Sequence, residues 1–132
     1  MPIIPFKTDS PQIDPTAFIA PDAWIIGKTR IGARSSVFFN VVVRGDVQPI
    51  TIGAETNLQE HVLVHSSRGM SPVIIGDRVT VGHRAIIHGC RIGDERHRYS
   101  PSQLSTRQPR KGRKNPPTAG ARRASDLSQA LR

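Results

Sequence analysis

Trp24-Ile25-Ile26-Gly27-Lys28-Thr29-Arg30-Ile31-Gly32-Ala33-Arg34-Ser35-Ser36-Val37-Phe38-Phe39-Asn40-Val41-Val42-Val43 sets Ile25, Ile31, Val37 and Val43 six residues apart. The beat reaches back to Ile19. It resumes as Ile52, Leu58 and Val64, and again as Ile75, Val81 and Ile87. Apolar residues of an amphipathic helix recur at three and four, and those of a half-buried strand at two. A period of six fits neither. With β-branched residues on the beat, it fits a coil of short parallel strands, three to a turn, whose beat residues point inward. The reading is an all-β chain of about four turns.

Two interruptions break the beat. Val43 to Ile52 spans nine residues and Val64 to Ile75 eleven. Three residues are therefore inserted around Val47-Gln48-Pro49 and five around Ser66 to Pro72, and both insertions should loop outward. Gly27, Gly32, Gly53, Gly76, Gly82 and Gly93 are expected at corners, where a backbone without Cβ bends cheaply. The expected organisation is an extended, Pro-rich lead-in over 1–18, the coil over 19–94, and a separate segment over 95–132.

The 132 residues suit one domain. The net charge of +9 is unevenly spread. Residues 1–94 hold nine Lys and Arg against eight Asp and Glu, whereas 95–132 hold ten against two. The basic segment is rich in Pro, Arg and Ser and poor in aliphatics. It reads as a disordered, solvated tail outside the fold, with a short helical turn near Ser125 to Leu131. Tyr99 is its only aromatic residue, so base stacking is unsupported and no evolved nucleic-acid partner is expected. No apolar run reaches the roughly 18 residues of a membrane span. Met1-Pro2-Ile3-Ile4-Pro5 does not read as a secretory signal. A single cysteine, Cys90, excludes an intramolecular disulfide and suits a reducing compartment, so a cytoplasmic location is expected.

One uninterrupted turn is eighteen residues, three units of the six-residue beat. His65 and His88 each follow a beat residue by one place. They stand 23 apart, a turn plus the five-residue insertion. They should lie one above the other, on strands about 4.7–4.9 Å apart. Imidazoles so placed can converge on one metal. Arg44, 21 residues before His65, should lie beneath it. His83 follows Val81 by two and falls at another corner. A prism packed on copies of itself about a threefold axis would bring His83 to a neighbour's pair. Three histidines with an open position are the layout of a catalytic zinc. His61 and His97 lack this register and read as non-ligands. Cys90 reads as a small core or corner residue. Arg44-Gly45-Asp46 spells an adhesion tripeptide that is common by chance, and no phosphate-binding lysine motif is present.

Val43-Arg44-Gly45-Asp46, Thr56-Asn57-Leu58-Gln59, Val64-His65 and Val81-Gly82-His83-Arg84-Ala85-Ile86-Ile87-His88-Gly89-Cys90 together resemble the γ-class carbonic anhydrases and their bacterial relatives. The resemblance runs through residues 10–94. It implies a left-handed parallel β-helix of the hexapeptide-repeat superfamily and a homotrimer with a metal at each subunit interface. The metal implied is usually zinc, with iron or cobalt as alternatives. His65 and His88 of one subunit and His83 of the next would be its ligands. Gln59 and Asn57 would hold hydroxide and substrate, and Arg44 and Asp46 would pair across the interface. The implied reaction is hydration of CO2 to bicarbonate by a metal-bound hydroxide.

The pattern departs from the family in two ways. Active members carry glutamates as proton shuttles, one just after the Arg-x-Asp element and one after the first ligand histidine. Here Val47 and the loop Ser66-Ser67-Arg68-Gly69-Met70 hold no carboxylate. Family members also continue the coil and close it with a helix. In this chain the beat stops after Ile92-Gly93-Asp94, which predicts a truncated or frameshifted reading frame, no closing helix, an uncapped strand edge and poor solubility. Two other functions compete. One is a non-catalytic metal-binding or assembly subunit. The other is a hexapeptide-repeat acyltransferase with a single histidine as base.

Overall fold

Each six-residue unit builds one short strand and one corner, and three units close a turn. The computed structural model describes residues 2–93 and the strand at 98–99. In chain order the strands are β1 (Ile3–Ile4), β2 (Gln12–Ile13), β3 (Phe18–Ile19), β4 (Trp24–Ile31), β5 (Ser36–Val37), β6 (Val42–Ile52), β7 (Asn57–Leu58), β8 (Leu63–His65), β9 (Val73–Ile75), β10 (Thr80–Val81), β11 (Ile86–His88), β12 (Arg91–Ile92) and β13 (Arg98–Tyr99). Every pairing between strands is parallel. The result is a left-handed parallel β-helix of about four turns, and no helix occurs among the described residues.

Three faces stack. The first holds β1, the front of β4, the front of β6, β8 and β11. The second holds β2, the rear of β4, the rear of β6, β9 and β12. The third holds β3, β5, β7, β10 and β13. The beat residues fill the interior in columns: Ile25, Val43, Val64 and Ile87; Ile31, Ile52 and Ile75; Val37, Leu58 and Val81. None is more than 1% exposed. Burying each such side chain is worth about 1.5–3 kcal/mol.

The corners differ in kind. Between the second and third faces, Arg34, Glu55 and Arg78 take φ of 54–55°, and between the third and first, Asn40, His61 and Arg84 take 57–62°. The left-handed residues at these corners are therefore not the expected glycines. Gly53 is needed for a different reason. A Cβ there would lie 2.6 Å from the Gly76 backbone, and one on Gly32 would lie 2.6 Å from that of Gly53. Hydroxyls fasten the same corner from inside. The Ser35 Oγ donates to the Gly53 carbonyl and the Thr56 Oγ1 to the Gly76 carbonyl, both at 2.7 Å. Both insertions open at the remaining corner, between the first and second faces.

The coil starts earlier than position 19. Ile3 pairs with Ile25 and Ile13 with Ile31, so the expected lead-in covers the lower strand edges. Beyond position 94, Arg98 and Tyr99 pair with Thr80 and Val81 and add a rung to the third face. His97, the rest of the expected tail and its short helical turn lie outside the described residues. Among the described residues no helix is long and apolar enough to cross a membrane.

Candidate metal centre

The first face carries the site because its outward positions recur once per turn. Arg44 is the register partner of His65, and His65 that of His88, so the three form one column. The two imidazoles stack with centroids 5.4 Å apart and planes 16° from parallel. Both rings are partly buried.

Both insertions supply partners to this column. Asp46, from the first, places Oδ1 3.1 Å from the Nε2 of His65 and accepts at Oδ2 from Arg44, also at 3.1 Å. The Arg44–Asp46 contact is made within one chain. Ser67, from the second insertion, places its hydroxyl 3.0 Å from the Nε2 of His88. Partial burial and the Arg44 guanidinium push the His65 imidazole below its ordinary pKa, against the opposing pull of Asp46. Cys90 packs against the core beside this corner, and burial pushes its thiol up.

His83 lies elsewhere. It sits in the turn before β11, at the far end of the first face, with Nδ1 2.7 Å from the Glu60 Oε2. Its side chain is 64% exposed. Gln59 is one turn below, at the same corner. Asn57 stands on the third face, where the Ser36 hydroxyl donates to its Oδ1 at 3.3 Å. Among the described residues no hydrogen bond or ion pair links His83, Asn57 or Gln59 to the histidine pair, and no three metal-binding side chains converge. One chain therefore carries the histidine pair and His83 at opposite ends of one face. His61 is exposed at a left-handed corner and belongs to neither.

The donor set fits a borderline divalent cation. Two imidazoles lie in register, with a carboxylate on one ring nitrogen. Glu60 and Ser67 were not singled out in the sequence. Register offered a signal for Glu60, which stands 23 residues before His83, one turn plus the insertion. Ser67 gave none beyond lying in the inserted loop.

A three-faced coil of six-residue units with a stacked histidine pair defines a hexapeptide-repeat β-helix protein. Over 91 residues the chain is 44% identical to a mitochondrial γ carbonic anhydrase of Arabidopsis thaliana, covering 65% of this chain and 33% of the relative. Over 76 residues it is 54% identical to a probable carbonic anhydrase of Methanocaldococcus jannaschii, covering 58% and 47%. A Bacillus cereus crystal structure, described as a candidate acetyltransferase, superposes with a TM-score of 0.67 at 44% identity, covering 69% of this chain and 52% of that one. No protein-family model matches the chain. The chain is similar to γ-carbonic-anhydrase-like hexapeptide-repeat proteins, and it spans about a third to a half of the length of these curated relatives.

Proposed function

We propose that this chain is the subunit of a γ-carbonic-anhydrase-like metalloprotein, a homotrimer that interconverts CO2 and bicarbonate. The observation that carries the reading is the in-register stack of His65 on His88. These two would hold the metal from one chain, and His83 from the next. Zinc suits three imidazoles best, with iron or cobalt as alternatives. When bound, such a metal supplies a Lewis acid that brings the pKa of water down to about 7.

The chain's own residues would do the rest. The Ser36 hydroxyl engages the carbonyl oxygen of Asn57, leaving the amide NH2 to donate to a substrate oxygen. Gln59, at the corner that carries His83, would orient the substrate beside it. Association is supported by an outward apolar ladder beside the histidine column. Trp24, Val42, Leu63 and Ile86 are successive register partners, and Ile86 is 57% exposed.

The absence of carboxylates at Val47 and in the Ser66–Met70 loop favours a second reading, a metal-binding assembly subunit without turnover. An acyltransferase reading rests on the likeness to the Bacillus cereus protein. Metal content and sedimentation of the purified chain, followed by stopped-flow CO2 hydration with zinc or ferrous iron, separate the three. A zinc-loaded trimer that hydrates CO2 supports the first reading and a loaded but inert trimer the second. A metal-free protein that acetylates an acceptor supports the third.

A further inference from the structure

We propose that Ser67 sets the metal affinity of the histidine pair, by occupying the ring nitrogen of His88 that an incoming cation would need. The inference rests on the metal reading above. The Ser67 Oγ lies 3.0 Å from the Nε2 of His88.

The loop holds the hydroxyl there. The Met70 N–H donates to the Ser67 carbonyl at 3.1 Å and closes a turn, and Gly69 supplies its φ of +79°. The side chain of Ser66 is fully buried, and its Oγ donates to the Ser71 carbonyl at 2.7 Å. At the loop's other flank Met70 lies against Gly89, where an added Cβ would come 2.8 Å from the Met70 Cε. Ser67 therefore sits in a loop fastened at its base.

A cation on the Nε2 of His88 has to displace this hydroxyl. The hydrogen bond stabilises the metal-free chain alone, so its presence weakens binding. A neutral hydrogen bond of ordinary net strength corresponds to about two- to tenfold in affinity. Asp46 stands in the same relation to His65, but it brings a charge that also attracts the cation. Ser67 is the neutral keeper of the pair.

The test uses the full chain, stripped of metal and titrated with Zn2+ against a chromogenic chelator. Ser67→Ala should bind Zn2+ about two- to tenfold more tightly, whereas Ser67→Thr, which keeps the hydroxyl, should match wild type. Unchanged or weaker binding by Ser67→Ala overturns the proposal. Long-range 1H–15N spectra of the metal-free chain give a second readout. Ser67→Ala should move the ring nitrogens of His88 and leave those of His83 in place, and an unmoved His88 also overturns it. If His88 responds but neither protein binds Zn2+, the metal reading itself fails and the affinity role falls with it.

Discussion

His65 and His88 hold equivalent positions on successive turns, with their rings 5.4 Å apart. Two insertions of different length lie between Arg44 and His88, yet the column stays in line. Each insertion is absorbed at a single corner, so the strands on either side keep their register.

The outward ladder that includes Leu63 and Ile86 should be a contact surface between copies. Leu63→Lys combined with Ile86→Lys should convert the assembly to monomers in sedimentation velocity. Each change should cost the isolated coil no more than about 0.5 kcal/mol, as at other surface positions. An unchanged sedimentation profile would show that this face is not the interface.

His83→Ala should weaken zinc binding by more than the roughly 10–100-fold lost when a ligand's hydrogen-bond partner is removed. The melting curve of the metal-free protein should hardly move, because His83 is exposed and outside the core. Zinc retained at wild-type stoichiometry by the variant would mean that His83 does not share a metal with the histidine pair.

Gly53→Ala should destabilise the coil by about 1–3 kcal/mol, the usual cost of overpacking. Its Cβ would meet the Gly76 backbone at 2.6 Å. Gly93→Ala is the control, since among the described residues a Cβ there meets nothing within 4 Å. Urea midpoints should separate the two variants clearly, and equal midpoints would refute the close-approach argument.

His65 should make the metal-free chain less stable in mild acid. Its folded-state pKa is depressed, first by partial burial and then by Arg44. The unfolded chain binds the proton at about pH 6.5. The stabilising contribution is therefore complete above that pH and is lost as pH falls through the lower folded value. Urea midpoints at pH 7.5 and pH 5 should differ more for wild type than for His65→Gln. Identical pH dependence in the two would remove His65 from the account.

The body of the coil was legible because its period is global. Ile25, Val43, Val64 and Ile87 report the same inward direction once per turn, and the lengths of the two insertions fell out of the same count. The register of Arg44, His65 and His88 followed from that count alone. The start of the coil was less legible. Ile13 stands six residues before Ile19, on the beat though set among prolines, whereas Ile3 is off it; both pair with the lower edges of β4. The glycines were given only part of their reason. Gly27 does take a left-handed φ of 68°, but arginine, asparagine, glutamate and histidine take that conformation at the other two corners, and Gly53 is required by the backbone above it. The partners of the histidines were the least legible. Ser67 reaches His88 from a loop whose path obeys no period, and Asp46 reaches His65 from the irregular middle of β6.

The three corners divide the labour of sequence change. At the corner of Gly32 and Gly53, successive turns touch backbone to backbone, and even one methyl group has no room. At the corner of Asp46 and Ser67, extra residues are absorbed by a register shift between β4 and β6 and by the loop after β8, and the pairing resumes on either side. Chemical novelty in this scaffold is therefore channelled to one seam. A loop grafted there would present its side chains to the histidine pair, while the same graft at the glycine seam would pry the turns apart.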